Sequence, residues 1–252
     1  MTVDIVPTVP VNLRDLGGIP IAGGTLRTGL AIRADDLSLV TEEAARELVN
    51  GGLSAVIDLR TNDEVAITGR GPLAEHRVSY HHLSLVASVH SDLPTSDERA
   101  FVLEYAAIGE LYVRLFETAA PQLASALSII ALTPGATAFH CAAGRDRTGV
   151  LAAALLLALG ATDEHIVTDY ARTDANMAAV LERLRPRTSL LMQRLGVNWD
   201  GTTQFPNEPM DVSMHILLNE LRARHGDPLT PLRAAGLNDA TIARLRERAL
   251  TA

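Results

Sequence analysis

The stretch His140-Cys141-Ala142-Ala143-Gly144-Arg145-Asp146-Arg147-Thr148-Gly149 puts a nucleophile, two cations and a carboxylic acid within ten residues. Cys141 is the single cysteine of the chain, and Arg147 follows it after five intervening residues. An ordinary thiol has a pKa of about 8.5 and is a few per cent ionised near neutral pH. Helix N-termini and neighbouring cations lower that value to roughly 3.5–7.5, and Arg145 and Arg147 flank this loop. The backbone N–H groups of Ala142, Ala143, Gly144, Arg145, Asp146 and Arg147 can turn inward around a tetrahedral anion. Arg147 adds a planar two-pronged clamp that a lysine would not reproduce. Gly144 lets the backbone turn tightly and approach a ligand. The Thr148 hydroxyl either donates to the thiolate or serves only as an early helix residue, and His140 reads as a brace rather than a general base. An activated sulfur beside an anion cradle suits phosphoryl transfer through a phosphocysteine. Two plainer readings exist. A lone cysteine is usually a small buried hydrophobe, and a glycine-containing strand-loop-helix also describes a nucleotide loop. The second lacks its residues, since neither Gly-Lys-Ser/Thr nor Gly-x-Gly-x-x-Gly after a strand occurs here.

The loop needs a strand before it and a helix after it. Ala136-Thr137-Ala138-Phe139 reads as a short buried strand, and Val150–Leu159 is an unbroken Ala/Leu run of helical length closed by Gly160. Upstream, residues 1–11 read as extended, and Asn12-Leu13-Arg14-Asp15-Leu16-Gly17-Gly18 as a turn in which Asp15 bonds locally. Residues 25–33 suggest a small hairpin. Thr41 caps a helix with Glu42 and Glu43 in its first turn, which stops at Gly51-Gly52. Leu53–Leu59 is a buried strand ending in Asp58 and Arg60, at the position where α/β folds bind ligands; a purely structural pair of Asp58 with Arg60 or with Arg14 fits equally. Residues 91–99 read as a polar loop or movable lid, and 100–132 as a helix in two pieces broken at Pro121. Thr162 caps a helix running through Tyr170. A helix over 174–184 ends near Pro186, a short one covers 190–195, residues 198–209 form a loop at the site rim, and two more helices cover 210–225 and 238–250.

These motifs are shared with a known family. Cys-x5-Arg followed by Thr-Gly resembles the signature of cysteine-dependent protein phosphatases. The form with Asp146 directly before the arginine resembles a bacterial tyrosine phosphatase family. Asn12–Gly18 resembles that family's N-terminal motif, and Asp58-Leu59-Arg60 with Asp63 and Glu64 resembles another of its segments. Arg145 stands where members usually carry lysine, and Ile32-Arg33-Ala34 where they often show Tyr-Arg-Ser. The resemblance implies an α/β fold, a central mostly parallel sheet flanked by helices, with an extra helical lid and C-terminal helices. It implies hydrolysis of phosphotyrosine, with phosphoserine, phosphothreonine and phosphoinositides as further substrates, and Arg14 and Asp15 bracing the catalytic loop.

On this reading Cys141 attacks phosphorus while Arg147 and the loop N–H groups take up charge. Asp146 or Asp58 supplies the proton to the leaving oxygen; Asp146 is favoured by proximity, although its flanking arginines work against an acid. No cofactor is required. His76, His81, His82 and His90 lack the spacing of a structural zinc site, so no metal is expected. The partner is a phosphorylated protein, or a phospholipid or small phosphate ester handled by the same residues. A module that binds phospho-ligands without turnover is the rival of another class, and an intact Cys141 and Arg147 argue against it.

The 252 residues are 47% hydrophobic and 4% aromatic, which predicts one domain over 1–252 with an aliphatic core. Its helical insertion covers about 90–132 and its C-terminal helices about 205–252. The net charge of −8, with no basic run, argues against nucleic acid and makes anion binding a local property of the loop. One cysteine excludes an internal disulfide. Met1-Thr2-Val3-Asp4 shows no secretory signal, and Val150–Leu159 is too short to span a bilayer, so a cytoplasmic location is expected, with signal-less export as the other route. Nothing in the composition specifies an oligomeric state.

Overall fold

A computed structural model describes residues 6–86, 104–194, 196 and 209–250 of the chain. Among these residues the strands are β1 (Arg14–Asp15), β2 (Pro20–Ile21), β3 (Gly24–Thr25), β4 (Ala31–Ala34), β5 (Leu53–Asp58), β6 (Ser79–His82) and β7 (Ala136–His140). The helices are α1 (Glu42–Asn50), α2 (Asn62–Thr68), α3 (Tyr105–Thr118), α4 (Ala120–Leu132), α5 (Asp146–Leu159), α6 (Asp163–Ala171), α7 (Met177–Arg194), α8 (Val212–His225), α9 (Thr230–Ala234) and α10 (Asp239–Leu250). The main sheet has the order β1-β4-β7-β5-β6, and β2 pairs with β3 in a separate hairpin. Within the main sheet β4, β7, β5 and β6 run parallel, and β1 is an antiparallel edge. This is the α/β arrangement expected from the sequence.

Every residue of β7 is buried, as a strand covered on both faces requires. Alternate residues serve opposite layers. Val56 and Ala138 face a smaller cluster with Leu37, Ala44, Ala45, Leu73 and Val78. Ile57 and Phe139 face the larger core, which contains α5. In α5 every residue from Thr148 to Leu159 is buried, and α3, α4, α6 and α10 pack around it. A helix apolar all round is stable only inside such a ring, and each buried leucine contributes ~1.5–3 kcal/mol. Gly160 ends it in the left-handed conformation, φ +79°. In register, His140 lies opposite Ala34 on one side and Asp58 on the other. The chain therefore leaves β7 at Cys141 between the C-terminal ends of two parallel neighbours, the position that favours ligands in open sheets.

Thr41 caps α1 through its hydroxyl, which accepts from Ala44 N–H at 3.2 Å, and Asn238 does the same for Thr241 N–H at 2.9 Å. Helices α3 and α4 meet at a 74° bend, next to Pro121 in the first turn of α4. No helix among the described residues is long and apolar enough to cross a membrane.

Three local expectations are corrected. Residues 25–33 are not a hairpin: Thr25 pairs back to Pro20, whereas Ala31–Ala34 joins β7. Leu30, Ala31 and Ala34 are fully buried there, and a two-stranded ribbon offers no such burial. The helix predicted to end near Pro186 continues through it to Arg194 and absorbs the short helix expected at 190–195. The proline removes one backbone bond, but Leu184, Arg187 and Leu191 are buried on either side of it. Thr162 sits at the start of α6 without capping the backbone; its hydroxyl pairs with His165 Nδ1 at 2.9 Å. The expected lid loop at 91–99 and all but the last residue of the rim loop at 198–209 lie outside the described residues, as does His90.

Candidate active site

The loop after β7 is shaped by what its carbonyls bond to. Ala142 C=O accepts from Asp36 N–H at 2.9 Å. Asn12 Nδ2 donates to Ala143 C=O and Gly144 C=O, each at 3.2 Å, and Arg33 Nη2 donates to Gly144 C=O at 2.9 Å. A trans peptide points its N–H opposite its C=O, so three outward carbonyls turn the N–H groups of Ala143, Gly144 and Arg145 inward. The first-turn N–H groups of α5 complete the ring, since helix starts leave them unpaired. Gly144 has φ +69°, and a Cβ there would lie 2.6 Å from Ala34 C=O; only glycine lets the loop sit this close to β4.

Cys141 opens the loop, 1% exposed, and Arg147 closes it. Arg147 Nη1 donates to Glu64 Oε2 at 2.5 Å and Nη2 to Glu64 Oε1 at 3.1 Å. This end-on pairing leaves the other edge of the guanidinium, Nε and the second Nη2 proton, as a fork for an oxyanion. Burial works against the Arg147 charge, but the Glu64 carboxylate more than offsets it and holds the guanidinium's pKa above its ordinary value. Burial likewise raises the Glu64 carboxyl, and Arg147 with Arg187 pulls it well below its usual range. Glu64 is fixed independently: its Oε2 accepts from Thr61 N–H at 2.7 Å while Thr61 Oγ1 accepts from Glu64 N–H at 3.2 Å. The sequence reading gave Glu64 no role of its own. Thr61-x-x-Glu64 before an apolar residue is a capping-box pattern, and that signal locates the side chain at the start of α2.

Asp146 Oδ1 accepts from Arg145 Nε at 2.9 Å and from Tyr112 OH at 2.5 Å. Burial raises this carboxyl, but Arg145 and the Tyr112 hydroxyl outweigh it, and its pKa lies below the ordinary value. Asp58, the other candidate acid, is a brace. Its Oδ1 accepts from Arg60 N–H at 3.0 Å and Nε at 2.9 Å, its Oδ2 from Arg60 Nη2 at 2.6 Å and Tyr80 OH at 2.8 Å. Both oxygens are used, and Asp58 is fully buried. Arg60 also reaches Ser38 Oγ at 2.8 Å, Thr68 Oγ1 at 2.7 Å and Asp36 at 3.1 Å.

His140 is buried at the end of β7, between the C-terminal ends of β4 and β5. Its Nδ1 lies 3.1 Å from Cys141 C=O and 3.3 Å from Leu37 N–H, and its Nε2 lies 3.7 Å from Asp58 Oδ2. Burial lowers its pKa, so the ring stays neutral. Arg14 braces the loop through an intermediary. It donates to Asp169 Oδ1 at 2.8 Å, and Asp169 Oδ2 accepts from Arg33 at 2.5 Å; Arg33 holds Gly144. Burial and the neighbouring Arg33 push Arg14 down to about 10. Asp15 does not reach the loop: it accepts from Gly17 N–H at 2.6 Å and Gly29 N–H at 2.8 Å, tying the turn beside β1. The Thr148 hydroxyl is buried and has no partner among the described residues, so of its two readings the bond to the cysteine is not formed. His76 pairs with Glu42 and His82 Nε2 with Arg60 C=O. Among the described residues no cluster of three His, Cys, Asp or Glu side chains assembles.

Cysteine-based phosphatases cradle an anion in this manner, with a buried thiol under a ring of N–H groups and an arginine locked by a carboxylate, and the geometry puts the chain in that class. Residues 8–251 match the family model of the tyrosine phosphatase family, and the chain belongs to that family. It is 33% identical over 141 residues to a tyrosine-protein phosphatase of Nostoc commune, covering 56% of this chain and 47% of the relative. A Cupriavidus necator protein named for the same activity is 31% identical over 178 residues, covering 66% of this chain and 62% of the relative. The triple specificity protein phosphatase PtpB of Mycobacterium tuberculosis is 25% identical over 206 residues, covering 73% and 72%. The matched stretch thus spans about half of the Nostoc relative and 62% of the Cupriavidus one.

Proposed function

We propose that the chain hydrolyses phosphotyrosine in proteins through a phosphocysteine at Cys141. The observation that carries this reading is the open edge of Arg147. Glu64 occupies the Nη1/Nη2 end and leaves the Nε/Nη2 side for two oxygens of a phosphoryl group, and Cys141 lies near enough to act on the Arg147 charge. Cys141 Sγ attacks phosphorus in line with the departing oxygen; the S–P bond forms as the P–O bond breaks. The inward N–H groups and the Arg147 fork take up charge on the equatorial oxygens. Asp146 gives its proton to the leaving phenolate. It then accepts one from the water that attacks the phosphocysteine, returning the thiolate and inorganic phosphate. An arriving phosphate dianion beside Asp146 raises its pKa and favours the protonated form this step needs. The cradle supplies the positive charge, so the reaction runs without a metal or cofactor. The names of the Nostoc and Cupriavidus relatives support phosphotyrosine, and the triple specificity in the name of the mycobacterial relative supports a wider range that includes phosphoserine and phosphothreonine.

The test is phosphate release, without metal, by the wild type and Cys141→Ser from a phosphotyrosine peptide, a phosphoserine peptide and a phosphoinositide. The expected result is release from the phosphotyrosine peptide, lost by at least ~1,000-fold in Cys141→Ser, with phosphate binding retained. Release from the phosphoinositide alone would make the chain a lipid phosphatase. Release from none, with phosphate bound, would make it a binding module.

A further inference from the structure

We propose that Tyr112, backed by Tyr170, is the positioning residue that decides which oxygen of Asp146 delivers the proton. The inference rests on Asp146 being the general acid, as argued above. Tyr112 lies on α3 and Tyr170 on α6, and both rings are buried, at 0% and 1% exposure, within the larger core. A phenol in such a place needs a partner for its hydroxyl, where phenylalanine would not. The two hydroxyls are 2.8 Å apart, and Tyr112 OH is 2.5 Å from Asp146 Oδ1.

Proton counting fixes the direction of this chain. An ionised carboxylate only accepts, so the single Tyr112 proton goes to Asp146. The Tyr112 oxygen then accepts from Tyr170. Arg145 Nε is a second donor to the same Asp146 oxygen at 2.9 Å. Oδ1 therefore faces two donors, while Oδ2 accepts no bond among the described residues. A proton taken up by the carboxyl settles on Oδ2, because on Oδ1 it would oppose the O–H and N–H already aimed there. The network thus sets the rotation of the carboxyl and names its reactive oxygen before substrate arrives.

Two further observations support a built device. The rings meet edge to face, 6.1 Å between centroids at 81°, and one side of the Tyr170 ring sits against the start of α5, where a Cβ on Gly149 would be 3.0 Å from its Cδ2 and Cε2. The phenols are held between α3, α5 and α6 with little freedom. Burial, and after it the Asp146 charge, raises Tyr112 well above an ordinary phenol. It therefore remains a donor across the range in which the carboxyl titrates.

The experiment compares Tyr112→Phe, Asp146→Asn and the double variant on a phosphotyrosine peptide and on an aryl phosphate whose phenol is acidic enough to leave unprotonated. Tyr112→Phe is expected to lower kcat on the peptide by about tenfold or more, and on the activated aryl phosphate by less than about twofold, as loss of acid assistance does. Added to Asp146→Asn it should cost nothing further. It should also move the alkaline limb of kcat/KM for the peptide upward in pH, because a donor that favours the charged carboxylate is gone. Equal losses on both substrates, a further loss in the double variant, or an unmoved limb would overturn the inference. If Asp146→Asn itself shows no dependence on the leaving group, the general-acid reading fails and the inference with it. If Asp146→Asn shows that dependence and Tyr112→Phe does not, only the tyrosine role fails. Tyr170→Phe leaves the Tyr112 donor in place. It should show the same pattern at smaller size, and it carries the test should Tyr112→Phe not fold.

Discussion

Glu64 is held by Thr61 on one side and grips Arg147 and Arg187 on the other. Glu64→Gln keeps the shape but replaces a charge-assisted pair with one neutral bond, since an amide offers Arg147 a single acceptor oxygen. Its kcat/KM on a phosphotyrosine peptide should fall ~10–100-fold, chiefly through KM, because Arg147 is no longer aimed at the phosphoryl oxygens. Buried Arg147 also loses its paired counter-charge, while Arg187 keeps Asp36, at ~3–5 kcal/mol in a urea titration. The grouping of Cys141, Gly144 and Arg147 was legible in the sequence because it follows from spacing within one loop. The pairing of Glu64 with Arg147 spans 83 residues, and no local pattern encodes it. Asp58 stayed open between acid and structural pair for a related reason. A carboxylate at the end of a strand reads the same whether it faces the ligand or a buried arginine, and Arg60 two residues on captures it.

At the scale of elements, β7, the loop and α5 follow one another directly, and Gly144 is where the loop itself meets the end of β4. Gly144→Ala puts a methyl group 2.6 Å from Ala34 C=O in a backbone with φ +69°. The expected loss is ~1–3 kcal/mol of stability, together with loss of phosphate binding measured by isothermal calorimetry, because the neighbouring N–H groups turn away. Elements with local punctuation were legible: the Thr41 and Asn238 caps, the Gly160 stop and the Ala/Leu run of α5. Elements defined by a distant partner were not. Ala31–Ala34 carries no mark that it pairs with β7 rather than with Thr25. Pro186 reads as a helix end until Arg187 is seen reaching Glu64 and Asp36 from the far side of the fold.

At the scale of the molecule, carboxylates held in buried ion pairs make stability depend on acid. Asp36, Asp58, Glu64, Asp146 and Asp169 all lie below their ordinary pKa values. In each the unfolded chain takes up its proton first as pH falls, so the stabilisation is complete above about pH 5 and drains away below it. His140 has the same sign at a higher pH. Its folded pKa is depressed, so stability declines from about pH 6.5 downward by at most ~1.4 kcal/mol per pH unit. The urea midpoint should therefore slope gently between pH 6.5 and 5 and steeply below about pH 4.5, with the first slope flattened in His140→Gln. The α/β class was legible through the family resemblance, and the central place of the loop from the strand before it and the helix after it. The packing of α8 against α3 and of α10 against α4 was not, because helices studded with arginines show only that one face is apolar, not what it meets.

Asp169 answers both Arg14 and Arg33 with one carboxylate, so the charges behind Gly144 do not balance. The chain carries a net −8, yet behind the loop two guanidinium groups share one carboxylate. An oxyanion bound in the loop supplies the missing counter-charge, so it acts on the whole fold as a ligand of the native state alone. Such a ligand at a hundredfold excess over its Kd adds ~2.7 kcal/mol to apparent stability. The melting temperature of this protein is therefore a property of its buffer as much as of its sequence, and phosphate, sulfate and chloride solutions will each report a different molecule.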